Sequence, residues 1–136
     1  MTNSHRVELH GSPDLLRART LARQLASAAG LGVMDQTRFA TAVSELCRNA
    51  LTHAHDGVCT LDERSDAGLI VLQVTVEDRG PGIADVARAL EDGYSSSGSL
   101  GVGLPGTRRL MDHFELHSDT GGTHVCAQMR RRRRMA

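Results

Sequence analysis

A chain of 136 residues, 40% hydrophobic and 24% charged, suits one small domain built around one core. Sixteen basic residues balance sixteen acidic ones, so charge gives no argument for a polyanionic partner. All sixteen basic residues are Arg, and the missing Lys excludes P-loop NTPases, eukaryotic-type protein kinases and Schiff-base or pyridoxal chemistry.

In chain order, Val7 and Leu9 alternate with polar neighbours and predict a short first strand. Ser12-Pro13-Asp14 reads as a helix start, with a capping hydroxyl, Pro in the first turn and an acid at the positive end of the dipole. Leu15, Ala18, Ala22, Leu25 and Ala29 form that helix's apolar stripe, and Gly30 and Gly32 stop it. Asp35 is placed to cap a second helix, with Phe39, Val43, Leu46 and Ala50 as its stripe, running to about Ala54. After a turn at Asp56-Gly57, Val58 to Asp62 predicts a strand. Asp66-Ala67-Gly68 is a hairpin signal, and Leu69 to Val76 is apolar enough for the centre of a sheet.

Residues 80–99 hold Pro81, several Gly and the run Ser95-Ser96-Ser97. A connection this long points to a functional lid, with one short helix at Val86 to Leu90. A third helix follows over Leu104 to His113, then strands at Phe114 to Ser118 and Thr123 to Met129 around a turn at Asp119 to Gly122. This order implies a two-layer α/β (α+β) sandwich: a mixed, mostly antiparallel sheet with helices on one face. Cys47, Cys59 and Cys126 make neither a disulfide framework nor a CxxC pair; Cys47 and Cys126 read as small core fillers. No run resembles a signal peptide or membrane span, so a cytoplasmic, non-membrane protein is expected.

Four segments carry chemistry. Glu45 and Asn49, four residues apart, share a helix face, where they can polarise a nucleophile and hold a hard cation. On spacing alone a solvated polar pair is the commoner reading. Asp78, in the run Glu77-Asp78-Arg79-Gly80-Pro81-Gly82 at a strand end, is a good acceptor for an exocyclic amine. Gly80 and Gly82 would let a ring approach bare backbone, although the run also reads as a plain turn. The segment Gly98 to Gly106 leads into a helix whose N–H groups suit phosphate. Its Gly101, Gly103 and Gly106 spell GxGxxG, yet a Ser-rich loop stands where a dinucleotide fold needs a strand. Thr123, beside Gly121-Gly122, can contact a base edge or simply close a hairpin.

In this order the segments SELCRNALTHA (Ser44 to Ala54), EDRGPGI, GSLGVGLPG and the closing Gly122-Thr123 resemble the motifs of the GHKL ATPase superfamily, which includes gyrase and the histidine kinases. Within it, TAVSELCRNA and EDGYSSSGSLGVGLPGTRRLMD look closest to the switch-type serine/threonine kinases and anti-sigma factors of bacterial partner-switching systems, the RsbT kind. The resemblance implies a Bergerat-type ATP-binding fold over 1–129 with a mobile ATP lid. It implies ATP and Mg2+ as cofactors, Glu45 as the residue that orients or deprotonates the attacking hydroxyl, and Asn49 as the magnesium ligand. Asp78 would meet the adenine amine. Gly80, Gly82, Ile83, Gly98, Leu100, Gly101, Val102, Gly103, Leu104 and Thr123 would line the nucleotide pocket. The implied substrate is a Ser or Thr of a STAS-domain antagonist protein, with a PPM-type phosphatase or a sigma factor as further partners and room for a homodimer. The alternative is a nucleotide-dependent binding module, an anti-sigma factor or phosphatase activator with little catalysis.

Other signals carry less. Arg108 and Arg109 are either phosphate ligands or solvated helix residues. His53, His55 and Asp56 lack a full tetrahedral metal set, and a His at a helix end suits the dipole. Arg130 to Arg134 is a run of five; 130–136 is expected to be a disordered, solvated tail rather than a nucleic-acid contact.

Overall fold

The computed structural model describes residues 3–82 and 103–133. The elements run β1 (Asn3–Leu9), α1 (Ser12–Ala29), α2 (Val33–Ala54), β2 (Gly57–Glu63), β3 (Leu69–Asp78), α3 (Gly103–Leu110), β4 (His113–Asp119) and β5 (Gly122–Arg132). The five strands form one sheet in the order β1-β2-β3-β5-β4. Every neighbouring pair is antiparallel, which corrects the mixed sheet expected from the sequence.

The apolar periodicities decide which faces meet. In β3, Ile70, Leu72, Val74 and Val76 are buried toward the helices, and in β5 Val125, Ala127 and Met129 join them. α1 and α2 pack on each other and on this face, and α3 leans on α2. Phe39, Leu9, Leu46, Leu61, Leu72 and Met129 are the largest fully buried side chains. Removing such a side chain would cost about 2–5 kcal/mol. Cys47 on α2 and Cys59 on β2 meet in this core, and the Cys59 contact together with burial pushes the Cys47 thiol far above its ordinary range. Cys126, expected as core, is only half-buried, because its neighbours Val125 and Ala127 take the inward face.

The helix ends differ from expectation in an instructive way. The N-cap of α1 is Gly11, so Ser12 is already helical and caps nothing. Asp14 instead accepts the His10 amide at 2.8 Å, and that bond holds its carboxyl below the usual range. Gly30, at φ 104°, closes α1 as the glycines predict. The N-cap of α2 is Gly32 rather than Asp35. Asp35 faces sideways to Arg38 at 2.9 Å and to Arg131 at 3.1 Å. Burial raises its pKa, but the two guanidiniums outweigh that and hold it low. His55, at φ 66°, is the left-handed C-cap of α2 and donates its amide to Leu51.

The sequence suggests a free tail over 130–136, but residues 130–133 are tied to the fold, and 134–136 lie outside the described residues. Arg130, Arg131 and Arg132 belong to β5. Arg131 bridges Asp35 and Asp112, the latter at 2.7 Å, and Arg133 donates to the carbonyls of Asp66 and Ala29. Pairing with β3 continues because Leu69 to Val71 stand opposite Arg132 to Arg130. Among the described residues no helix is long and apolar enough to cross a membrane.

Candidate functional site

β3 and β5 are in register so that Asp78, the last residue of β3, stands opposite Thr123 near the start of β5. Asp78 Oδ1 accepts the Gly80 amide at 3.0 Å and the Thr123 amide at 3.3 Å. One carboxylate oxygen is thus fixed by two backbone N–H groups, and Oδ2 makes no hydrogen bond among the described residues. Thr123 is buried, and its hydroxyl shares a 2.9 Å bond with Ser118 on β4. Around these groups lies an open groove of about 730 Å³ lined by Asp78, Leu116, Ser118, Asp119 and Gly121 to Thr123 among others.

The two glycines of the turn have structural work that the sequence did not disclose. A Cβ on Gly80 would lie 2.6 Å from Ala54 Cβ, so the turn presses directly on the C-terminal end of α2. Gly82 has φ +80°, and a Cβ there would run into the Asp119 carbonyl. Both glycines therefore let three elements, α2, β3 and β4, close on one another; whatever they offer a ring comes in addition.

The second half of the site is on α2. Glu45 and Asn49 lie one turn apart, as their spacing predicts. The Glu45 side chain is 9% exposed and forms a very close ion pair with Arg48. It lines a groove of about 580 Å³ between α1 and α2, together with Arg19, Arg23, Ser44 and Arg48. The Ser44 hydroxyl is buried and is the one buried side-chain polar atom without a partner among the described residues. Asn49 is half-buried. Its amide oxygen is a hard, neutral donor, suited to an ion that takes its other ligands from phosphates and water. Among the described residues no cluster of three His, Cys, Asp or Glu side chains could hold a metal by itself.

α3 supplies the third part. Gly103 starts it at φ 68°, Leu104 is buried, and the Thr107 hydroxyl donates back to the Gly103 carbonyl at 2.8 Å. The helix rests on α2, the helix that carries Asn49. Arg108 and Arg109 are exposed in its last turn. Ile83, Gly98, Leu100, Gly101 and Val102, and the lid and short helix expected around them, lie outside the described residues.

The structure joins Asp78, Gly80 and Thr123 by hydrogen bonds and sets Gly82 against Asp119. It links them to α2 through Ala54 and leaves Glu45 on a separate groove some two turns back. Sequence reasoning did not find Arg48, Ser44 or Ser118. Arg48 had a usable signal, lying three residues after Glu45. Ser118 had none, because its partner Thr123 is a neighbour only across a strand pair.

Comparison with known proteins agrees with this geometry. The sequence profile described as Histidine kinase-like ATPase domain matches residues 11–129. Over 115 residues the chain is 46% identical to the Serine/threonine-protein kinase RsbT of Bacillus subtilis, covering 84% of this chain and 86% of that one. It is 32% identical over 92 residues to the Anti-sigma F factor of Halalkalibacterium halodurans, covering 62% of each chain. Among solved structures it is similar to the RsbU and RsbW domains of a Mycobacterium tuberculosis protein, with a TM-score of 0.65 and 17% identity. That match covers all of this chain and 34% of the other, so the chain spans about a third of that solved chain. The mycobacterial sensor histidine kinase MprB has a TM-score of 0.54 at 17% identity over 98% of this chain and all of that one. At such identities these structures speak for the fold alone.

Proposed function

This chain belongs to the histidine kinase-like ATPase domain family and, within it, with the RsbT-type serine/threonine-protein kinases, and we propose from that premise that it transfers the γ-phosphoryl group of ATP to a hydroxyl of a small STAS-domain antagonist protein. The observation that carries the proposal is the pairing of Glu45 with Asn49 on one face of α2, with Glu45 opening onto the α1–α2 groove.

The residue roles are part of the proposal. Asp78 Oδ2 accepts the adenine amine while Oδ1 stays anchored on Gly80 and Thr123. The phosphates run along α2 toward Asn49. From Ala54 back to Glu45 is about 14 Å of helix, a span that an extended nucleoside triphosphate can cover. Magnesium, when bound, neutralises phosphate charge, and Asn49 is the residue that would hold it. Glu45 orients the acceptor hydroxyl and takes its proton; the hydroxyl oxygen bonds to the γ-phosphorus, the bond to the β–γ bridging oxygen breaks, and ADP leaves. Positioning and charge neutralisation dominate such a transfer, so a site without Lys suffices. The unpartnered Ser44 hydroxyl marks the groove beside Glu45 as a place for a polar segment of the acceptor. A cytoplasmic setting and an upstream or downstream phosphatase or sigma-factor partner belong to the same proposal.

The test is transfer of labelled phosphate from ATP with magnesium to a STAS-domain antagonist. Glu45→Ala should lose transfer and keep nucleotide affinity. No labelling of an antagonist shown to bind the chain would sink the proposal.

A second reading has one feature in its favour. Arg48 holds the Glu45 carboxylate, which would suit a module that binds partners according to its nucleotide and transfers little. Nucleotide-dependent capture of a purified sigma factor or phosphatase, with no phosphate appearing on any bound partner, would favour that reading.

A further inference from the structure

Among the described residues, three large hydrophobic side chains are strongly exposed, and two of them are adjacent: Val33 at 71% and Met34 at 70%. They form the first turn of α2, directly after the Gly30-Leu31-Gly32 connection. A groove of about 780 Å³ opens beside them, and Arg38, Arg131, Arg132 and Arg133 line it with Asp35 as the one acid.

The charge of this end is unusual for the chain. Five of the sixteen arginines fall in Arg130 to Arg134, and the other eleven face sixteen acids. A neutral protein therefore has a positive end and a negative remainder. Arg131 is spent on Asp35 and Asp112, and Arg38 on Asp35. Arg133 donates only to carbonyls, and Arg132 is exposed with no ion pair among the described residues. Their charge remains available to a partner.

The position matters as much as the composition. Val33 opens the helix on which Asn49 lies about 24 Å further along. Arg132 faces Leu69, at the far end of a ten-residue β3 from Asp78, about 30 Å away. An occupant of this end leaves both site grooves open.

We propose that Val33, Met34 and the Arg132–Arg133 rim form a docking surface for an acidic protein segment, one that places an apolar side chain over Val33 and Met34 and carboxylates against the two arginines. Two exposed apolar side chains ringed by cations discriminate against a plain polyanion, which would gain nothing from covering them. The same ring repels a second copy of this surface. Because the surface is remote from Asn49 and Asp78, docking is independent of nucleotide and of phosphoryl transfer.

Fluorescence anisotropy on the full chain tests this with four probes: a labelled dodecapeptide of Glu with interspersed Leu, the same length of Glu with Ser replacing Leu, single-stranded oligothymidylate, and vesicles containing anionic lipid. The Glu/Leu peptide is expected to bind at least tenfold more tightly than the Glu/Ser peptide and the other two probes, and equally with and without ATP. Val33→Ser with Met34→Ser should remove that tenfold preference, while Leu16→Ser, at the other exposed apolar position, should leave it. Unchanged thermal melting establishes that the variants are folded. Equal binding of the two peptides, tighter binding to oligothymidylate or vesicles, a preference that survives the double substitution, or no saturable binding of the Glu/Leu peptide overturns the proposal.

Discussion

Asp78 has two separable tasks, and two substitutions should divide them. Oδ1 holds the Gly80 and Thr123 amides, and Oδ2 is left to face a ligand. Asp78→Ala removes both anchoring bonds from a half-buried position, at about 1 kcal/mol each, so it should cost ~2 kcal/mol. For a domain of this size that lowers Tm by roughly 8 °C. Asp78→Asn keeps a carbonyl oxygen for the two amides and should melt within a couple of degrees of the parent. It places an NH2 where Oδ2 was, and that donor opposes the adenine amino group. Loss of one charge-assisted hydrogen bond, ~2 kcal/mol, weakens ATP binding roughly thirtyfold. Titration calorimetry with ATP and with inosine triphosphate, which carries a carbonyl at that ring position, reads both effects. The parent should prefer ATP and Asp78→Asn should lose or reverse the preference. If Asp78→Asn binds ATP within threefold of the parent, the carboxylate does not read the base and the assignment of this groove is wrong.

Three further outcomes follow from the same contacts. Glu45→Gln, which keeps shape and hydrogen bonding but not basicity, should slow transfer by roughly 10²–10⁴-fold with little change in ATP affinity; a rate within a few fold of the parent would remove Glu45 as the base. Gly80→Ala should cost about 1–3 kcal/mol through its clash with Ala54. Adding Ala54→Gly should recover much of that in a melting experiment, whereas no recovery would place the strain elsewhere. Arg131→Ala should destabilise by ~1–2 kcal/mol at neutral pH, because a partly buried guanidinium joins two carboxylates. Asp35, its partner, has a pKa held below the unfolded value. Its contribution is present above the unfolded carboxylate pKa and fades as pH falls through the folded one, so the gap between parent and variant should narrow in acid. A gap that stays constant down through the acid range would mean that Asp35 is not the partner that matters.

Much of the fold is legible because local rules decided it. The stripes of α1 and α2, the hairpin at Asp66 to Gly68 and the apolar run of β3 each follow from a period or a turn residue. The candidate residues Glu45, Asn49, Asp78 and Thr123 were legible as types at spacings, and their roles are those of the proposal. What the sequence concealed is nonlocal. Asp35 looks like a cap because an acid at a helix start usually is one; a guanidinium 96 residues away draws it aside. The arginine run looks like a tail because five like charges repel. Three of them, Arg130, Arg131 and Arg133, instead find carboxylate or carbonyl oxygens, and continued pairing with β3 carries the strand to Arg132. Gly80 looks like a place for a ring because nothing in the sequence says that Ala54 lies against it.

The two ends of the proposed site are built on different principles, and this has a consequence for how it can vary. The base end is fixed by backbone: strand register sets Asp78 against Thr123, and amides hold the carboxylate. It can change only with the sheet. The transfer end is made of side chains on α2, where Glu45 is held by Arg48 and the adjacent Ser44 hydroxyl has no partner among the described residues. Its chemistry can be altered one side chain at a time while the helix, pinned at Ala54 by Gly80 and at Asp35 by Arg131, stays where it is. Nucleotide binding and phosphoryl transfer are therefore physically separable in this framework. A substitution at Glu45 is expected to leave a nucleotide-binding protein behind.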